Sequence, residues 1–165
     1  MKESITANFE QEMNTTRRFF DVISDEFFAY QPHEKSMDAA KLLNHIARIP
    51  SFITAIAGGS SLDFSKVPPS EPATTKEAII ELFETNVTQA KEALNQLPEA
   101  QFTDAWTLKN GETTYFKDVP KQDVIRNLVI SHTIHHRAQL GVYLRMNNLK
   151  VPASYVASAD ESLIG

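Results

Sequence analysis

Residues 125–146 read IRNLVISHTIHHRAQLGVYLRM. An α-helix advances about 100° per residue, so residues four apart lie about 40° apart around its axis. With His132 as origin, Ile125, Leu128, His136, Gln139, Tyr143 and Met146 project within about 40° of it. The stretch is therefore one amphipathic helix. Two histidines stand one turn apart in the middle of the stripe that must face a core. His135 projects about 60° to the other side and offers an alternative i,i+3 pairing with His132. His136 is preferred because it lies nearer the stripe's centre. On the opposite side lie Ile130, Ile134, Ala138 and Gly141. That face is small and apolar where a monomeric bundle helix would be polar. It points to a homodimer contact, with burial under the chain's own tail or under the 102–118 excursion as the alternative.

Working toward the N-terminus, three more segments carry helical periodicity. Ser4 to Ile23 presents Ile5, Phe9, Met13, Thr16, Phe20 and Ile23 at steps of three or four. Met37 to Ala57 has Ser36 as its N-cap, Pro50 as an internal kink and Gly58-Gly59 as its stop. Its stripe is Leu42, His45, Ile49, Phe52 and Ile56. Ser60 to Ala73, with three prolines, reads as a loop. Thr74-x-x-Glu77 then resembles a capping box opening a helix that runs to about Gln96. Ile79 or Ile80, Phe83, Val87, Ala90 and Leu94 form its apolar face, and Pro98 ends it. Residues 102–118 break the pattern. Lys109-Asn110-Gly111 between Trp106, Leu108 and Thr113 to Phe116 is a hairpin signal, so a short two-stranded or extended excursion is expected there. The last helix starts near Pro120 or Lys121, and the tail from Asn147 to Gly165 is irregular. The expected fold is all-α: one four-helix-bundle domain over residues 1–165, with the excursion between helices three and four.

His45 sits at the centre of the second helix's stripe, so two core-facing surfaces can bring His45, His132 and His136 together. Three imidazoles in one core without an ion would leave polar groups to satisfy at about 1–3 kcal/mol each. Neutral imidazole suits zinc, nickel, copper or iron. One divalent ion is expected, zinc or nickel first and iron or manganese as alternatives. Three protein ligands with open positions is the arrangement of a catalytic centre, not of a closed structural one. Gln139 and Tyr143 are pocket or supporting candidates beside His135, although a tyrosine in a bundle is most simply core. His33, beside Pro32, reads as solvated.

Composition excludes several classes. The chain carries 16 Lys and Arg against 21 Asp and Glu, net −5, with no cationic stretch to displace counterions from nucleic acid. It has no cysteine, which removes disulfides, thiolate ligands and a cysteine nucleophile together. Any sulfur chemistry must use a thiol supplied by a co-substrate. No apolar run reaches the roughly 18–20 residues of a membrane span, and the N-terminus lacks a signal-peptide core, so a cytoplasmic protein is expected. Thr133 stands where a zinc-protease helix needs glutamate. No Glu-x-x-His of a diiron bundle occurs, and no nucleophile elbow or phosphate-binding loop.

Three segments resemble the DinB/YfiT-like superfamily of metal-binding four-helix bundles. They are Leu42-Leu43-Asn44-His45-Ile46-Ala47, the stretch from His132 through His136-Arg137-Ala138-Gln139 to Arg145, and the tail from Val151-Pro152 through Tyr155 to Glu161. Ala138 departs from the family's usual glycine, and Val156-Ala157 from its Gly-Pro. The resemblance implies metal ligands at His45, His132 and His136, and frequent homodimers. It also implies a choice of activities. Some members resemble thiol S-transferases using bacillithiol, mycothiol or glutathione; others resemble metal-dependent hydrolases or non-catalytic stress-associated proteins that bind a metal or ligand. The first is the expected function, with an electrophilic small molecule as the other substrate.

Overall fold

The computed structural model describes residues 1–162. Helix α1 (Lys2–Asp21) buries Ile5, Phe9, Met13, Thr16 and Phe20, the face its periodicity predicts. Helix α2 (Ala39–Arg48) begins later than expected. Its cap is Asp38, whose carboxylate accepts from Lys41 N at 2.7 Å. Ser36 lies in the preceding turn, where its N–H donates to His33 O and its carbonyl accepts from Gln31 Nε2, two residues before the cap. Pro50, which has no N–H to donate, separates α2 from α3 (Ser51–Gly58). The backbone stays in the right-handed helical region through Ile49 and Pro50, so the two pieces make one rod of the bundle.

Helix α4 (Lys76–Gln96) is capped by Thr75, not Thr74; Thr75 Oγ1 accepts from Ala78 N. This moves the third helical position from Glu77 to Ala78, so no reciprocal capping box forms. Ile79, not Ile80, is the residue buried in its first turn. The last rod is α5 (Lys121–Val124), a π-helical segment over Ile125–Ser131, and α6 (His132–Met146). Helix α1 packs on α4 and α6, and α2 packs on the same two, which closes the four-helix bundle.

The excursion is a three-stranded sheet. Strand β2 (Ala105–Asn110) pairs antiparallel with β3 (Thr113–Pro120) and parallel with β1 (Ser61–Asp63). The two-residue turn is Gly111-Glu112, one position later than an Asn-Gly centre. Gly111 takes φ 58° at the first central position, where a primed turn favours glycine. Strand β1 lies inside the stretch expected to be loop. It holds the hairpin through Asp63, whose carboxylate accepts from Gly111 N and from Ser65 N and Oγ. Trp106 and Leu108 point inward and seat the sheet on the bundle.

Two expectations for the last helix change. Met146, placed on the core stripe, is 66% exposed. Its partner helix begins only at Ala39, and Tyr143 already reaches Met37 O, so Met146 stands nearly one turn past the end of α2. Ile130, placed on the opposite face, is buried in the chain's own core. The π turns that precede His132 rotate less per residue than a 100° projection assumes. Gly141 is also covered, since a Cβ there would lie 3.4 Å from Phe19 and 3.6 Å from Val151 of the tail. Ala138 is exposed and Ile134 half-buried. The tail crosses α1 and α6, held by Arg145–Asp160, Arg18–Glu161 and Arg18 on Ala153 O; residues 163–165 lie outside the described residues.

Candidate metal centre

Helices α2 and α6 pack face to face, and their stripes bring three imidazoles to one point. His45 Nε2 lies 3.1 Å from His132 Nε2, and His136 Nε2 lies 2.8 Å from the same atom. One ring nitrogen from each histidine falls within 4.8 Å of the others, a group that could hold a metal ion. His135 is exposed, and its ring meets that of His136 at 4.8 Å between centroids. It is not part of the cluster. His33 is exposed in its loop, where Nδ1 accepts from Lys35 N.

The outer nitrogens decide what the inner ones are. His132 Nδ1 donates to Leu128 O at 3.2 Å, and His136 Nδ1 is bonded to Gln139 Oε1 at 2.7 Å. An oxygen of this kind only accepts, so each Nδ1 carries the proton and each Nε2 presents a lone pair. Two lone pairs facing at 2.8 Å repel unless a cation or a proton stands between them. Burial disfavours the proton. It lowers the pKa of His132 and of His136, although the bonds to Leu128 and Gln139 work against the shift. His45 is pushed down to about 4, first by burial and then by the charges of His136 and His132. A tetrahedral ion with bonds of about 2.0–2.1 Å sets its ligand nitrogens roughly 3.3–3.4 Å apart. Two of the three separations, 3.1 and 2.8 Å, lie within about 0.6 Å of that value, and all three ligand atoms lie within 4.8 Å of one another. The donor set fits a divalent ion.

Gln139 thus stands behind His136, the place of a group that orients a ligand. Tyr143 does not face the cluster. Its hydroxyl donates to Met37 O at 2.9 Å, and its ring meets Tyr30 edge-on. The sequence reading missed the π-helical segment. Its i→i+5 pattern withdraws Leu128 O from His132 N, which makes that carbonyl available to the imidazole. It also missed Arg137. Buried beside His136, its guanidinium donates to Glu12 Oε2 at 2.6 Å, to Glu12 O and to Thr16 Oγ1. Tyr155 OH lies 3.0 Å from both Glu12 carboxylate oxygens. This pair fixes α6 against α1 and so sets which way the adjacent His136 faces. A glutamate on the same helical face as Phe9, Met13 and Thr16 was the available signal.

A cavity of about 490 Å³ opens beside His45. Arg48, Phe52, Leu62, Phe64 and Leu82 line it. A second groove of about 450 Å³, between α6 and the tail, contains none of the three histidines.

The model of the DinB family matches residues 1–162. The chain is 27% identical over 150 residues to the uncharacterized protein YjoA of Bacillus subtilis (strain 168), covering 90% of this chain and 92% of that protein. Among solved structures it resembles a DinB-like protein of Bacillus cereus ATCC 10987, with TM-score 0.74 and 22% identity over 93% of this chain and 97% of that one. It also resembles the YjoA structure of Bacillus subtilis, with TM-score 0.71 and 23% identity over 92% and 97%.

Proposed function

The chain belongs to the DinB family, and on that footing we propose that it is a metal-dependent thiol S-transferase whose ligands are His45, His132 and His136. The observation that carries this reading is the convergence of three imidazole Nε2 atoms beside an apolar cavity, in a chain without a cysteine. A divalent ion with open positions would supply Lewis acidity, holding a co-substrate thiol as thiolate near neutral pH. The protein's part is orientation and shelter. Leu128 O and Gln139 fix two rings with their Nε2 atoms inward. Phe52, Leu62 and Leu82 wall the cavity against water and would hold an electrophilic substrate beside the centre. In the transfer, the thiol's proton leaves to solvent, a carbon–sulfur bond forms, and the leaving group departs with its bonding pair.

Metal analysis by mass spectrometry tests the centre directly. Tag-free protein is expected to carry about one ion per chain, lost in His45→Ala, His132→Ala and His136→Ala and kept in His135→Ala. The activity test is conjugation of 1-chloro-2,4-dinitrobenzene with cysteine, glutathione or bacillithiol. No product with any thiol, from metal-loaded protein, rejects the transferase. Thiol-independent ester cleavage would make it a hydrolase instead, but no Asp or Glu lines the cavity to serve as base. We also propose a homodimer. With Ile130 and Gly141 covered, the surface left for it is Ala138 with the exposed Val142 and Met146. Sedimentation at micromolar concentration checks it, and a purely monomeric profile removes it.

A further inference from the structure

We propose that the cavity beside His45 is a site for a small amphipathic carboxylate, with its anionic end on Arg48 and its apolar body against Phe52, Leu62, Phe64 and Leu82. Charge is the first reason. The protein is net negative, yet the cavity lining contains Arg48 and neither Asp nor Glu. Arginines 17, 18, 137 and 145 each pair with a carboxylate, and the remaining one besides Arg48, Arg126, is exposed to solvent outside the cavity. Arg48 forms no ion pair among the described residues. Its guanidinium is held by neutral acceptors, Ser70 Oγ and Glu71 O. These bonds orient the cation and leave its charge uncompensated. Arg48 is a half-buried residue whose guanidinium lies toward the exposed rim of the cavity, where its positive charge favours an anion and its planar fork suits a carboxylate.

The walls supply the second reason. Phe52 and Phe64 meet edge to face at 5.9 Å, and Phe64 continues to Tyr115 at 6.4 Å. At the lip Phe64 is 36% and Val67 49% exposed, apolar surface that a ligand would cover. A volume of about 490 Å³ is in the range of small-molecule sites. Arg48 follows His45 by three residues on α2, so their Cβ atoms are roughly 5–6 Å apart. Both line the same cavity, so the body of a molecule whose carboxylate rests on Arg48 would lie in the space that opens beside His45. The carboxylate site does not rest on the transferase reading.

Octanoate and 1-octanol serve as probes, titrated calorimetrically into the full-length protein. Wild type is compared with Arg48→Met, Arg48→Lys, Ser70→Ala and His132→Ala. Octanoate is expected to bind more tightly than octanol, and about tenfold or more weaker to Arg48→Met. Arg48→Lys should fall between wild type and Arg48→Met, Ser70→Ala should lose less than Arg48→Met, and octanol should not respond to Arg48→Met. Equal affinity for the two probes, or no effect of Arg48→Met, overturns the proposal. So does loss in His132→Ala alone, which sends the carboxylate to the metal centre. An equal loss in Ser70→Ala also overturns it, by reducing Arg48 to a clamp on the loop. If the expected pattern appears in a protein that takes up no metal, the carboxylate site stands and the transferase reading falls.

Discussion

At the scale of single residues, the centre depends on two kinds of partner. Leu128 O and Gln139 hold ring protons outward, while Glu12 and Arg137 hold the helix that carries the rings. Both members of the Glu12–Arg137 pair are about 2% exposed. Removing one leaves a buried charge without its counterpart, at a cost of about 3–5 kcal/mol. Glu12→Leu is expected to lose that much in urea unfolding, and Glu12→Leu with Arg137→Met to recover most of it. The histidines were legible because spacing alone places them: 45 at the centre of one stripe, 132 and 136 one turn apart on another. Arg137 was not, because a charged residue next to a core position normally projects to solvent. Only the placement of Glu12 opposite it, 125 residues earlier, explains its burial.

At the scale of elements, the helices were read to within a few residues and the last one starts at Lys121 as expected, while two caps lie one or two residues after the predicted residue. Each cap shifted because a serine or threonine was displaced by a neighbour with a better-placed oxygen. Asp38→Ala should therefore cost about 1 kcal/mol, while Ser36→Ala costs little by comparison; chemical denaturation of the two variants separates these. Strand β1 was invisible because three residues bounded by a proline-rich stretch carry no period. Its anchor Asp63 has its carboxyl held down at about 2 by the bond from Gly111 N and those from Ser65. The unfolded carboxyl titrates near 4. A depressed folded value means this anchoring is complete above the unfolded pKa and is lost as pH falls toward 2. Trp106 fluorescence is expected to report loosening of the sheet across that window, and Asp63→Asn to flatten the change. An unchanged profile in Asp63→Asn would assign the acid sensitivity elsewhere.

At the scale of the whole molecule, the bundle is laced end to end. Tyr155 OH, from the C-terminal segment, reaches a carboxylate of the first helix 143 residues away. Tyr155→Phe should lower stability by about 1.5–3 kcal/mol, the range for a bond to a charged group, and thermal unfolding checks it. No helix among the described residues is long and apolar enough to cross a membrane. His45 and His132, whose Nε2 atoms lie 3.1 Å apart in the centre, stand 87 positions apart in the chain. At a translation rate of about 5–20 residues per second, His45 leaves the ribosome roughly 4–17 s before His132. Throughout that interval the nascent chain displays one imidazole on α2 with nothing opposite it. The three-nitrogen grip can close only after the chain has been made through His136, so any ion it captures goes to a chain in which α1 to α5 already exist.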